Sequence, residues 1–170
     1  MRARLADRRA DTRLAVDLLP SLPVVGALVD LDCIAMVEHS YGDPTTVRTA
    51  ATDPRIRAGV VLDGSAGWDG VADAPGLDRP MLPLASGDTP LHPSWSQIRD
   101  PRLEYASIVD AGHYSATDLC AFGASAALCG TVPADRAATV SRGGVDPWLD
   151  RRLRGGAGPR YVAPELFWQL

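Results

Sequence analysis

Ile34-Ala35-Met36-Val37-Glu38-His39-Ser40-Tyr41-Gly42-Asp43 is the stretch on which the fold turns. An apolar run stops, a small polar turn follows, and residues 44–51 (Pro-Thr-Thr-Val-Arg-Thr-Ala-Ala) read as a helix. Strand, turn and helix in that order are the setting of the G-x-S-x-G elbow, whose serine is held in a sharp, strained turn with its hydroxyl clear of the sheet. Ser40 takes the serine position and Gly42 the second glycine. Glu38 stands where the first glycine is expected.

Outward from this stretch, helices and strands alternate. Upstream, residues 2–19 carry Leu5, Thr12, Val16 and Leu19 on one face of a 3.6-residue period, and Pro20 and Pro23 close that helix. Residues 33–37 are short and nearly free of charge, as a strand buried on both faces should be. The helix from about Asp43 is broken by Asp53-Pro54. Further strands are predicted at 58–62, 80–85 and 103–109. One or two helical turns are expected at 93–98, loop at 65–79, and helices at 115–129 and 133–154. Residues 165–168 read as a last short strand. The predicted class is α/β, a parallel sheet flanked by helices.

Length and composition set bounds. A chain of 170 residues suits one domain, 1–170, and 46% hydrophobic with 22% charged residues is ordinary for a globular protein. A net charge of −4 is too mild to point to nucleic acid. All 17 basic residues are arginine, a codon bias without chemical meaning. No apolar run reaches the ~18 residues that span a bilayer. Arg8-Arg9 is followed by Ala10-Asp11-Thr12 and not by an apolar core, so no signal peptide is read. A cytoplasmic location is the default expectation, secretion the alternative if an upstream part exists. Cys33, Cys120 and Cys129 form no C-x-x-C. Cys120 and Cys129 are expected as two buried thiols on one helix, with a bridge between them as the alternative.

In such a sheet, ligands bind beyond the carboxyl ends of the strands. The polar residues at those ends are Ser40, Asp63, Asp88 and His113. A serine hydroxyl needs a base to become a nucleophile, histidine suits the task near neutral pH, and a carboxylate fixes the imidazole tautomer. The order Ser, then Asp, then His is the one this architecture uses. The residues alone leave Asp63 and Asp88 both open as the acid. His39 is expected to pack beside the turn, and His92 falls in a Pro-rich loop; neither is assigned a metal.

Several segments resemble one family in order and spacing. They are Arg2 with Leu5-Ala6-Asp7, Met36-Val37-Glu38-His39-Ser40-Tyr41-Gly42, Asp53-Pro54 through Leu62-Asp63-Gly64, Gly76-Leu77-Asp78-Arg79-Pro80, and Gly112-His113-Tyr114-Ser115. Together they resemble the bacterial α/β-hydrolases related to platelet-activating-factor acetylhydrolase. The resemblance implies a serine esterase or lipase acting on short or modified acyl esters, without metal or organic cofactor. It implies Ser40 as nucleophile, His113 as base and the backbone N–H of Tyr41 as an oxyanion donor. It favours Asp63 over Asp88, because the L-D-G turn follows the strand directly after the nucleophile helix.

Two departures from that pattern set further expectations. Glu38 should crowd the turn and place negative charge near a developing oxyanion, and Asp43 should add negative charge at the helix start. The family's earlier strands, which supply a second oxyanion donor, are expected to be lacking from this chain. An inactive remnant serving as a structural or interaction module is therefore the rival reading. A nucleotide-binding module is a third, weakened because no Gly-rich phosphate loop is present. Oligomeric state is not legible.

Overall fold

The computed structural model describes residues 2–67, 72, 74, 76–87 and 91–169. Its elements are α1 (Arg2–Leu18), β1 (Ile34–His39), α2 (Asp43–Thr52), β2 (Ile56–Leu62), β3 (Met81–Ser86), β4 (Tyr105–Ile108), α3 (Ala126–Cys129), α4 (Ala134–Arg154) and β5 (Leu166–Gln169). Short 3₁₀ turns lie at Leu19–Ser21, Gly26–Leu28, Ser40–Gly42 and Pro93–Gln97. The strands form one sheet in sequence order, with β1 to β4 parallel and β5 antiparallel beside β4.

Alternation along the strands builds a core on each face. On β2, Val61 packs with Val16, Met36, Val47 and Trp95, whereas Val60 packs with Leu82, Ala106, Val140 and Trp148. Period-two side-chain direction makes adjacent valines serve opposite faces, so a strand covered on both sides is apolar throughout. Helices α1 and α2 cover the first face. Helix α4 covers the second with Ala137, Val140, Ser141, Gly144, Val145 and Trp148, a spacing of three and one that keeps them on one stripe. The Trp148 indole N–H donates to Glu104 Oε1 at 2.9 Å, and Arg152 and Arg160 both pair with the same carboxylate. Among the described residues no helix is long and apolar enough to cross a membrane.

Two expectations are corrected. Residues 115–129 are not one helix: turns run from Tyr114 to Gly123, and only Ala126–Cys129 is helical. Polar side chains there bond to nearby backbone, Thr117 Oγ1 to the Tyr114 carbonyl at 2.7 Å, and Gly123 sits at φ 86°. Both features compete with a helical ladder. With the helix gone, Cys120 and Cys129 approach to a Cα separation of 5.7 Å and form a disulfide, so they are not free thiols. Cys33 is the free cysteine.

Candidate active site

The parallel sheet brings the ends of β1, β2, β3 and β4 to one edge, where the site is built. Ser40 follows β1 directly, with φ 56°. A non-glycine residue in the left-handed region costs ~1–2 kcal/mol, which the surrounding structure must supply. Asp63, immediately after β2, has φ 53°, and Asp110, after β4, has φ 59°. Among the described residues, three of the four non-glycine residues with positive φ stand at this edge, after β1, β2 and β4.

The side chains converge. Ser40 Oγ lies 2.7 Å from His113 Nε2, and Asp63 Oδ2 lies 2.6 Å from His113 Nδ1. A carboxylate only accepts, so Nδ1 carries the imidazole proton and Nε2 presents its lone pair to the serine hydroxyl. The other Asp63 oxygen accepts the backbone N–H of Ser86 at 2.7 Å, which fixes the carboxylate from the neighbouring strand. The Asp63 side chain is 17% exposed and that of His113 38%, so the acid is the more shielded of the two. Asp88 lies outside the described residues.

His39 takes more than a packing position. Its Nε2–H donates to the His113 carbonyl at 2.6 Å, and the two rings lie 4.6 Å apart. The residue before Ser40 thus holds the backbone of the residue that faces Ser40. No motif spacing pointed to this contact, because it joins positions 74 apart in the chain.

Glu38 and Asp43 depart from expectation in different ways. The Glu38 carboxylate turns toward α1, 3.5 Å from Arg8 Nη2, and occupies the space beside Gly42 that a side chain there would fill. The turn closes with a glutamate at 38 because residue 42 is glycine. Asp43 is corrected: it adds no charge at neutral pH. Its side chain is fully buried against Gly64, and among the described residues it has no hydrogen-bond partner. Burial first, then the charges of Glu38 and Asp63, push its pKa up to about 9.

A cleft of about 510 Å³ opens on Ser40 and Asp63. Its walls include Tyr41, Leu84, Leu91, His92 and Tyr105, mostly apolar surface. His92, in the Pro-rich loop, belongs to this wall. The backbone N–H of Ser94 donates to its Nδ1 at 3.3 Å, which leaves the proton of the neutral ring on Nε2. The Trp95 indole N–H donates to the Gly64 carbonyl at 3.0 Å, tying this wall to the turn after Asp63.

With this geometry in place, solved structures give a match. A ferulic acid esterase from Streptomyces cinnamoneus, determined at 2.4 Å, superposes with a TM-score of 0.79 and 27% sequence identity. The fold is esterase-like. The match covers 99% of this chain and 55% of that one, so the chain spans about half the length of the protein it matches. No family model and no curated protein matches. The five-stranded, mostly parallel sheet with flanking helices is that of an α/β-hydrolase.

Proposed function

We propose that this chain carries the reacting groups of a serine hydrolase of carboxylic esters. The observation that carries the reading is the pair of contacts at His113, 2.7 Å to Ser40 Oγ and 2.6 Å to Asp63 Oδ2. His113 Nε2 takes the Ser40 proton as Oγ bonds to the ester carbonyl carbon. Asp63 holds the Nδ1–H tautomer and stabilises the imidazolium. The Tyr41 N–H faces the developing oxyanion. The imidazolium then protonates the leaving alkoxide, the acyl–serine forms, and water activated by the same imidazole releases the acid. No step calls for a metal or an organic cofactor.

The apolar cleft suits an ester with a hydrophobic acyl or alcohol part. The sequence resemblance to the acetylhydrolase-like lipases suggests a short or modified acyl lipid ester. The superposed esterase, named for ferulic acid, supports an ester substrate in general. The rival reading, a module without turnover, is favoured by one observation: Glu38 stands where the first elbow glycine is expected.

A fluorophosphonate probe decides between them. Stoichiometric labelling of Ser40, lost in Ser40→Ala and sharply reduced in His113→Ala, is the expected result. Labelling should also fall in acid, because a protonated imidazole accepts no proton. A folded sample without an adduct on Ser40 would refute the hydrolase.

A further inference from the structure

His113 stands on a turn that is splinted by a segment far along the chain. Gly112, just before it, faces the backbone of 128–130 so closely that a Cβ would come within 2.6 Å of the Leu128 carbonyl oxygen. Ala111 and Gly130 form an antiparallel bridge, and the Tyr114 N–H donates to the Leu128 carbonyl at 3.0 Å. The Thr131 N–H donates to the Asp110 carbonyl at 2.8 Å. Two side-chain bonds complete the splint, and both belong to Ser115. Its Oγ accepts the Gly112 N–H at 2.8 Å and donates to the Cys129 carbonyl at 2.6 Å. Ser115 is 3% exposed, so both bonds are shielded from bulk solvent. Cys129 is in turn tied to Cys120 by the disulfide, which closes the loop that leaves and re-enters the His113 turn.

We propose that Ser115 is a positioning residue for His113, and that the Cys120–Cys129 disulfide keeps its acceptor, the Cys129 carbonyl, in place. The inference rests on the reading of His113 as the general base. A buried serine hydroxyl that accepts from one side of the turn and donates its single proton to the other ties the two strands of backbone together. Replacing it by alanine strands the Gly112 N–H and the Cys129 carbonyl on either side of the imidazole-bearing residue. The imidazole must meet Asp63 and Ser40 together, and small losses of alignment between reacting groups are costly in rate.

The test compares Ser115→Ala, the paired variant Cys120→Ser/Cys129→Ser, and the parent chain, all well below their melting temperatures. Two readouts are taken. One is the rate constant for fluorophosphonate labelling of Ser40. The other is the downfield proton resonance of His113 Nδ1–H, which reports the Asp63 contact without any turnover. Ser115→Ala is expected to slow labelling by ~10-fold or more, with KM for a chromogenic ester changed less than twofold. Its Nδ1–H resonance should broaden or vanish. The cysteine pair should shift both readouts in the same direction by less. A serine that serves stability alone would lower the melting temperature and leave both readouts of the folded protein unchanged. Labelling within twofold of the parent and an intact resonance in both variants overturn the proposal. If the parent shows the resonance but no Ser40 adduct, the hydrolase reading fails, and loss of the resonance in Ser115→Ala still upholds the positioning role. Should Ser115→Ala fail to fold, the cysteine pair and the parent reduced with a water-soluble phosphine decide the matter.

Discussion

Asp63→Asn isolates the role of charge at the acid. Asp63 makes two bonds, from Oδ1 to the Ser86 N–H at 2.7 Å and from Oδ2 to His113 Nδ1 at 2.6 Å. Asparagine keeps the shape and has one oxygen. If that oxygen stays with the Ser86 N–H, the amide NH₂ faces Nδ1, which must then accept. The imidazole proton moves to Nε2, the atom that faces Ser40, and the base is lost. If the amide flips, Ser86 N–H meets an NH₂ and a buried bond is broken, at ~1–3 kcal/mol. The first arrangement therefore prevails, and the wrong tautomer is the expected state. The analogous change in serine proteases lowers kcat by ~10⁴. Here the acid is 17% exposed, so solvent access could relieve part of the effect, and a loss of ~10³–10⁴ is expected, ~4–5.5 kcal/mol in barrier. The assay is the rate constant for fluorophosphonate labelling, checked by hydrolysis of a chromogenic short-chain ester. Melting temperature should change little, because the Ser86 bond survives. A loss below tenfold in a folded sample would refute the tautomer argument and would reopen Asp88 as the acid.

Further outcomes follow from other contacts. His39→Phe keeps a ring beside His113 but removes the donor to its carbonyl; labelling of Ser40 should slow by about 2- to 13-fold, the worth of an ordinary hydrogen bond of ~0.5–1.5 kcal/mol. An unchanged rate would return His39 to a packing role. Asp43 has its folded pKa raised to about 9, against 3.8 ordinarily, so the folded state holds a proton that the unfolded state releases. Stability should then fall as pH rises between these values, and Asp43→Asn should raise the melting temperature more at pH 8 than at pH 4. Equal shifts at both pH values would show that folding does not raise the Asp43 pKa. Gly64→Ala drives a methyl into the Asp43 carboxyl and should cost ~1–3 kcal/mol in denaturant unfolding. Asp43→Ala in that background should recover part of the loss, whereas strict additivity would mean that the two residues do not compete for space.

Much of this molecule was legible along the chain. The buried strands at β1 to β4 could be read from short apolar runs ended by Ser40, Asp63, Ser86-Gly87 and Asp110, α1 from its periodicity and proline stop, α2 from the break at Asp53-Pro54, and α4 from Pro133 at its start and Gly155-Gly156 at its end. These are local signals: backbone propensity, side-chain period and turn chemistry act within a few residues. The strand ends bearing Ser40, Asp63, Asp88 and His113 were readable for the same reason, since a parallel sheet gathers the ends of its strands at one edge; the residues alone left the acid open between Asp63 and Asp88, and only the family resemblance favoured Asp63. Tertiary structure decided the rest. Residues 115–129 read as a helix because small and apolar residues fill them, but the Ser115 and Thr117 hydroxyls and the pull of the His113 turn hold the chain in turns, and a disulfide follows. Asp43 read as a charge, and only burial beneath the elbow reveals a neutral acid. His39 reaches the His113 carbonyl across 74 positions, and the Ser86 amide reaches Asp63 across 23. Protonation state and long-range hydrogen bonds depend on the dielectric and on the neighbours a group acquires when the sheet closes, and neither is present in the order of residues alone.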